Sequence, residues 1–204
     1  TDVHVISGFT IQNGTGTLAS NSNTIKYGGG IYRGSYVKNC IIKDNSALRG
    51  GGLYQVGNIE NSVVSNNYAS DRGGGCFSAG GLYIKNSLFQ ENGSDQGGAI
   101  AGVGSAGAIF DIRHTVFDGN TAHYGPGSVF DYGTVNGQDI KFINCVFYNN
   151  SSPTDYNNTV IYGANTNTYI KNCIFRSNLG RNNNLQVTYS IYGTTGTDNY
   201  VTKG

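Results

Sequence analysis

Asp111, Arg113 and His114, with Asp131 further along the chain, are the closest approach this sequence makes to a catalytic set. Acid and base work on a glycosidic bond asks for two carboxylates about 5 to 9.5 Å apart. The remaining acids, among them Asp44, Glu60, Asp71, Glu91, Asp95, Asp118, Asp139, Asp155 and Asp198, are dispersed. No two are adjacent in sequence, and the repeat described below is expected to stack no two of them on neighbouring coils. No catalytic residue is therefore assigned, and Asp111, Arg113 and Asp131 stand only as the nearest candidates. His4 and His123 have no partner at metal-ligand spacing, and His114 falls in a column otherwise made of asparagine, where it reads as a hydrogen-bonding corner residue. No metal and no cofactor is read from the sequence. The four cysteines, at 40, 76, 145 and 173, are too few and too scattered for a disulfide framework or a CxxC-type metal site. Cys145 and Cys173 sit at the same place in consecutive modules, but in-register parallel neighbours seldom offer a disulfide its dihedral, so free buried thiols are expected.

A second kind of chemistry is contact. Tyr32, Tyr54, Phe77, Phe130, Tyr162 and Tyr192 each follow a glycine-rich turn or its equivalent. A row of such rings would stack on sugars, for which tyrosine is suited by its apolar body and polar tip; alternate members could equally be core aromatics. A third feature is aliphatic: Ile41, Val63, Leu88, Val116, Val146 and Ile174, preceded by Thr10, form an outward ridge if strict alternation holds. That ridge is either ordinary β-propensity on a half-exposed sheet or a contact face for a domain, protomer or partner.

What must position these residues is a repeat. The module NCIIKDNSALRGGGLY at 39–54 joins an apolar strand, an asparagine turn and a glycine run. Aligned on the last asparagine of the turn, it recurs at Asn45, Asn67, Asn92, Asn120, Asn150 and Asn178, with Gly14 in the equivalent place. A fixed order of features with elastic spacing means a constant coil with variable loops, which is a solenoid. Read as columns, Ile42, Val64, Phe89, Phe117, Phe147 and Phe175 form an inward apolar stack, and Cys40, Ser62, Ser87, Thr115, Cys145 and Cys173 a small column facing inward beside it. The Asn45 column is expected at a corner, with left-handed backbone and amides bonded from coil to coil. Asn39, Asn61, Asn86, Asn144 and Asn172, broken by His114, define a second corner, and the glycines at 28–30, 50–52, 73–75 and 97–98 a third. Lys38, Glu60, Lys85, Arg113, Ile143 and Lys171 line up as a solvated charged row.

Composition sets the outer bounds. Lys plus Arg at 13 against Asp plus Glu at 12 leaves no basic stripe, so nucleic acid is not an expected partner. Helix periodicity is absent and short runs of Val, Ile, Phe, Tyr and Thr lie between Gly and Asn turns, so the class is all-β. No apolar run reaches the roughly 20 residues of a membrane span. The strand pattern begins within TDVHVISGFTI and is still running near the end, so residues 1–204 are expected to be one β-helix domain within a longer chain, continuing beyond the C-terminus.

The GGAI tetrapeptide at 97–100 and the FxxN tetrapeptides at 89–92, 117–120, 147–150 and 175–178 resemble the repeats of chlamydial polymorphic outer-membrane proteins and related secreted bacterial surface proteins. Ile42 and Val64 replace Phe in two coils, and the other glycine runs read GGGI, GGGL and GGGC. The resemblance implies a right-handed parallel β-helix, here of about seven to eight coils. It also implies an extracellular or cell-surface segment serving in adhesion, as a non-catalytic stalk that presents loops and a sheet face to a glycan, a host-surface protein or adjoining domains of its own chain. Two alternatives remain at this point: a carbohydrate-active β-helix of the lyase or hydrolase kind, and a purely structural spacer.

Overall fold

The computed structural model describes residues 4–18, 24–34, 36–104, 107–132, 139–152, 160–163 and 167–178, together with the strand backbone at 186–188 and 191–192. Every described element is a strand, and none of these residues is helical. The strands stack into the four sheets of a parallel β-solenoid. Sheet A contains Val5–Ser7, Tyr36–Lys38, Asn58–Glu60, Leu82–Lys85, Ile109–Arg113, Asp139–Ile143, Asn167–Lys171 and Gln186–Thr188. Sheet B contains Thr10–Gln12, Ile41–Lys43, Val63–Ser65, Leu88–Gln90, Val116–Asp118, Val146–Tyr148, Ile174–Arg176 and Ile191–Tyr192. Sheet C runs from Lys26–Tyr27 through Ser46–Arg49, Tyr68–Arg72 and Gly93–Gln96 to Thr121–Ala122. Sheet D runs from Ile31–Tyr32 through Leu53–Tyr54, Cys76–Ser78, Ile100–Gly102 and Phe130–Tyr132 to Ile161–Gly163. Five turns thus carry a strand in all four sheets, and sheets A and B continue beyond them.

The expected register holds in sheets A and B. Ile42, Val64, Phe89, Phe117, Phe147 and Phe175 pair in line, and all are fully buried. Their rings follow one another at 5.5, 5.3 and 4.3 Å between centroids. The small column beside them does more than fill space. Ser62 Oγ donates to Glu60 O at 2.8 Å and accepts from Cys40 N at 3.1 Å; Ser87 repeats this one coil on. Cys145 Sγ bonds Ile143 O, and Cys145 N reaches Cys173 Sγ at 3.4 Å. A hydroxyl or thiol is thus chosen because it closes the A–B corner. All four cysteines are buried free thiols.

Backbone angles correct the reading of the corners. Asn39, Asn61, Asn86, His114, Asn144 and Asn172 do lie at positive φ, between 49° and 55°, and turn the chain from sheet A to sheet B. At the B–C corner the left-handed residue is instead the one before the repeated asparagine: Asp44, Asn66, Glu91, Gly119, Asn149 and Ser177. The Asn45 column points inward and is buried. Its amides form a continuous ladder, Asn45 to Asn67 at 3.0 Å, then 3.0, 3.0, 2.9 and 2.8 Å on to Asn178. The second hydrogen of each amide meets a carbonyl of the preceding coil, as Asn120 Nδ2 meets Phe89 O at 2.9 Å. Each ladder oxygen also accepts the backbone N–H of the asparagine one coil back, as Asn120 Oδ1 does from Asn92 N at 3.1 Å. The inner rungs therefore use every polar valence of the side chain.

The glycine run makes the C–D corner. Its first member supplies positive φ, at Gly50, Gly73 and Gly97. Its second has no room for a side chain, since a Cβ on Gly51, Gly74 or Gly98 would lie 2.5 Å from Gly74 O, Gly98 O or Thr121 O of the adjoining coil. Gly74→Ala is therefore expected to force backbone apart and to cost about 2–3 kcal/mol, read as a lower urea midpoint. Among the described residues, sheet C and the glycine run fade together: after Thr121–Ala122 the sheet is continued by the single bridge Thr121–Ser151. The Thr-, Ser- and Asn-rich stretch at 15–27 reads as a loop by composition. Instead Thr17–Leu18 turns back antiparallel on Lys26–Tyr27 and covers the first edge of sheet C, which removes one template for unwanted strand pairing. Beyond the first turn, whose B–C connection carries this excursion, the elasticity of the repeat falls at the D–A connections and in the later C–D connections, because the A–B corners and the later B–C corners keep one length.

Candidate functional site

Strand alternation presents two outer columns on sheet A. One is Val5, Tyr36, Asn58, Tyr83, Asp111, Lys141 and Tyr169; the other is Ser7, Lys38, Glu60, Lys85, Arg113, Ile143 and Lys171. The second is the charged row expected from the sequence. The first was not anticipated, and it changes what the face can do. Asn58 is the short residue between Tyr36 and Tyr83, so the two tyrosines stand as walls about 9.6 Å apart, two coil spacings, with the amide as floor. Tyr36, Asn58, Glu60, Tyr83, Lys85, Asp111 and Arg113 line the resulting notch, a cavity of about 330 Å³.

Its electrostatics are mixed. Tyr36 donates a short hydrogen bond to Glu60 Oε2, which holds the Glu60 carboxyl below its usual range and raises the Tyr36 phenol. Lys38 approaches the same carboxylate at 3.8 Å. Arg113 grips Asp111 with two bonds of 2.7 and 2.8 Å, so its guanidinium is raised by that carboxylate and is committed to it. Further along, Asp139 is held below its ordinary range by Asn167 and Lys141. Amide, carboxylate and ammonium groups beside an exposed tyrosine are chemically able to bond hydroxyls and to stack on a ring.

The candidate catalytic residues are not brought together. Asp111 and Arg113 pair on the outside of sheet A, whereas Asp131 lies in sheet D in line with Tyr54, Phe77, Ala101 and Tyr162. Asp131 is 3% exposed, and its Oδ2 has no hydrogen-bond partner among the described residues. Burial pushes its carboxyl up to about 7, against an opposing pull from Arg72, with Asp71 adding to the rise. Among the described residues no register pair joins two acids, as expected, but one place lies outside that counting. Sheet C shifts register between Ala69 and Arg72, a bulge that brings Asp71 close enough to Asp95 to raise its carboxyl, after the larger effect of burial. A bulge breaks the column counting on which that expectation rested.

The proposed ring platform is also corrected. Phe130 belongs to the inward column with Leu53, Cys76, Ile100 and Ile161 and is fully buried. Tyr54 and Phe77 are buried in a small second core outside sheet D, flanked by Tyr27 and Tyr32. The rings stack on one another, Tyr27 on Tyr54 at 4.6 Å, Tyr32 on Tyr54 at 5.4 Å and Tyr54 on Phe77 at 5.3 Å, and Arg49 lies 5.6 Å over Phe77. Their faces are used up internally. Tyr162 is half-buried, and the side chain of Tyr192 lies outside the described residues. The aliphatic ridge does face outward in register: Ile41, Val116 and Ile174 are exposed, while Val63, Leu88 and Val146 are half-buried.

A signal for the sheet A face was present in the chain. The triplet Tyr-x-Lys occurs as YVK at 36–38 and as YIK at 83–85 and 169–171, each time with the middle residue buried and the outer two on the face. Comparison of the chain with known protein families, with curated proteins and with solved structures gives no match.

Proposed function

We propose that this chain is a non-catalytic extracellular β-solenoid, an adhesin or stalk segment, that contacts glycans through the outer face of sheet A. The observation that carries this reading is the notch in which Tyr36 and Tyr83 flank Asn58, with Glu60 and Lys85 beside them. Tyrosine faces supply apolar stacking on sugar rings, and the amide and charged groups supply directional bonds to hydroxyls. The likeness of the GGAI and FxxN tetrapeptides to the chlamydial polymorphic repeats supports a surface setting, with a host glycan or adjoining domains of the same chain as neighbours. Tyr83→Ala is expected to weaken binding of any glycan held on a glycan array about tenfold, the order of one stacking contact, with the fold unchanged because Tyr83 is half exposed. Retention of full affinity by this variant would remove the notch from the reading, and absence of any bound glycan would leave a structural spacer.

A carbohydrate-active enzyme is the competing reading, and one observation favours it: the neutral-range carboxyl of Asp131. That carboxyl is covered, and its sequence partner Arg113 is engaged by Asp111 on another sheet. Cleavage of acidic or neutral polysaccharides that is lost in Asp131→Asn would reinstate it.

A further inference from the structure

We propose that sheet A holds an extended acidic polysaccharide along the solenoid axis, with sugar rings on Tyr83 and Tyr169 and uronate carboxylates on Lys85 and Lys171; this rests on the glycan-contact reading above. Three observations carry it. First, the unit Tyr-x-Lys repeats on one face and in one register. Tyr83 and Tyr169 are 50% and 42% exposed, each with its lysine alongside on the adjacent outer column. Second, the cations of this face divide into two groups. Lys38 is paired with Glu60, Arg113 with Asp111 and Lys141 with Asp139, whereas Lys85 and Lys171 make no close carboxylate contact among the described residues; Lys85 stands in register beside Glu60 and helps to hold its carboxyl down only from a longer distance. The two ammonium groups without a close carboxylate contact are the ones that belong to the exposed tyrosines. Third, the two units lie three coils apart, about 14 Å, too far for one sugar and suited to a polymer.

A sugar unit in an extended chain advances by a distance close to one coil spacing, so such a chain laid along the axis keeps its rings in step with the coils. Between the two units the face is neutral, because Asp111 with Arg113 and Asp139 with Lys141 cancel. Those paired groups remain able to bond hydroxyls. A polyphosphate backbone fits less well, since Glu60, Asp111 and Asp139 would face its charges at coil after coil, while a polyuronate offers hydroxyls to the same carboxylates. Two linked weak subsites gain affinity only when one ligand spans both.

The test uses oligogalacturonates of defined length, titrated against the protein by calorimetry. Binding is expected to tighten steeply once the oligomer spans three coils. Full methyl esterification, which keeps the rings and removes the charge, is expected to weaken it. Lys85→Gln and Lys171→Gln are each expected to lose about fivefold, the scale of one exposed charge pair, and the double variant more than tenfold. Both lysines are exposed, so the variants keep the fold. The proposal is overturned if the esterified oligomer binds equally well, if polyglutamate or single-stranded oligothymidylate binds as tightly, or if the double variant binds as the native protein does. Equal binding of charged and esterified oligomers would sink this inference alone; no binding of any glycan would sink the reading beneath it as well.

Discussion

Replacing Asn120 by alanine is expected to destabilise the solenoid by about 4 kcal/mol, the largest loss from any single truncation of its corners. The figure follows from what the side chain leaves behind. Asn120 Nδ2 supplies Phe89 O and Asn150 Oδ1, and its Oδ1 accepts both the backbone N–H and the amide of Asn92. With the side chain gone, the Phe89 carbonyl and two donors on Asn92 are left buried without partners, each at roughly 1–3 kcal/mol. Asn120→Asp keeps the shape but turns two donors into acceptors opposite acceptors and buries a charge, so it is expected to be no milder than alanine. Asn86→Ala is the control. That side chain is exposed and makes one bond of 3.3 Å to Asn61, so only the cost of alanine at positive φ remains, about 1 kcal/mol. Urea unfolding of the three variants separates the roles. Equal losses at Asn120 and Asn86 would show that the buried ladder adds nothing beyond turn conformation.

The contrast between these two asparagines also shows what one sequence can disclose. Both columns were visible by spacing, and both were assigned to corners. Spacing does not report which member of a two-residue corner takes the left-handed angle. The left-handed B–C position holds Asp, Asn, Glu, Gly and Ser in different coils, a mixture without a compositional signal, whereas the inward position must be asparagine to satisfy four hydrogen bonds and so repeats. The phenylalanine stack was legible for the same reason: a buried column admits few residues. The candidate site was much less so. Sheet A's outer column changes type at every coil, from Tyr36 to Asn58 to Tyr83 to Asp111, and nothing about one row announces a notch. The aromatic row after the glycine turn misled because a ring at an outward position suggests solvent. The second core covers Tyr54 and Phe77 from sheet C, a tertiary effect that alternation cannot register.

The same second core frames the other large effect. Native protein is expected to lose stability as pH rises from about 4 to about 7, and Asp131→Asn is expected to abolish that part of the loss. Asp131 occupies a place where the neighbouring coils put Ala101 and Tyr162, and its buried Oδ2 has no partner among the described residues. Its carboxyl ordinarily titrates near 3.8, and burial carries it up to about 7 in the folded chain. Between these values the unfolded chain has released the proton and the folded chain still holds it, so the folded state binds more protons and stability falls with rising pH. The contribution is intact below about 4 and gone above about 7. Three pH units correspond to roughly 4 kcal/mol at most. Asparagine retains the volume and cannot ionise, but its amide also needs partners, which takes back roughly 1–2 kcal/mol. The variant should therefore match the native protein near pH 5 and exceed it by about 2 kcal/mol at pH 8. Asp95 is displaced in the same direction, whereas Glu60 and Asp139 are displaced downward and act below pH 5. The difference between the two proteins, rather than either profile alone, isolates Asp131. Parallel urea-derived profiles from pH 4 to pH 8 would show that the Asp131 carboxyl is ionised in the folded chain at neutral pH, with Arg72 nearby holding it charged.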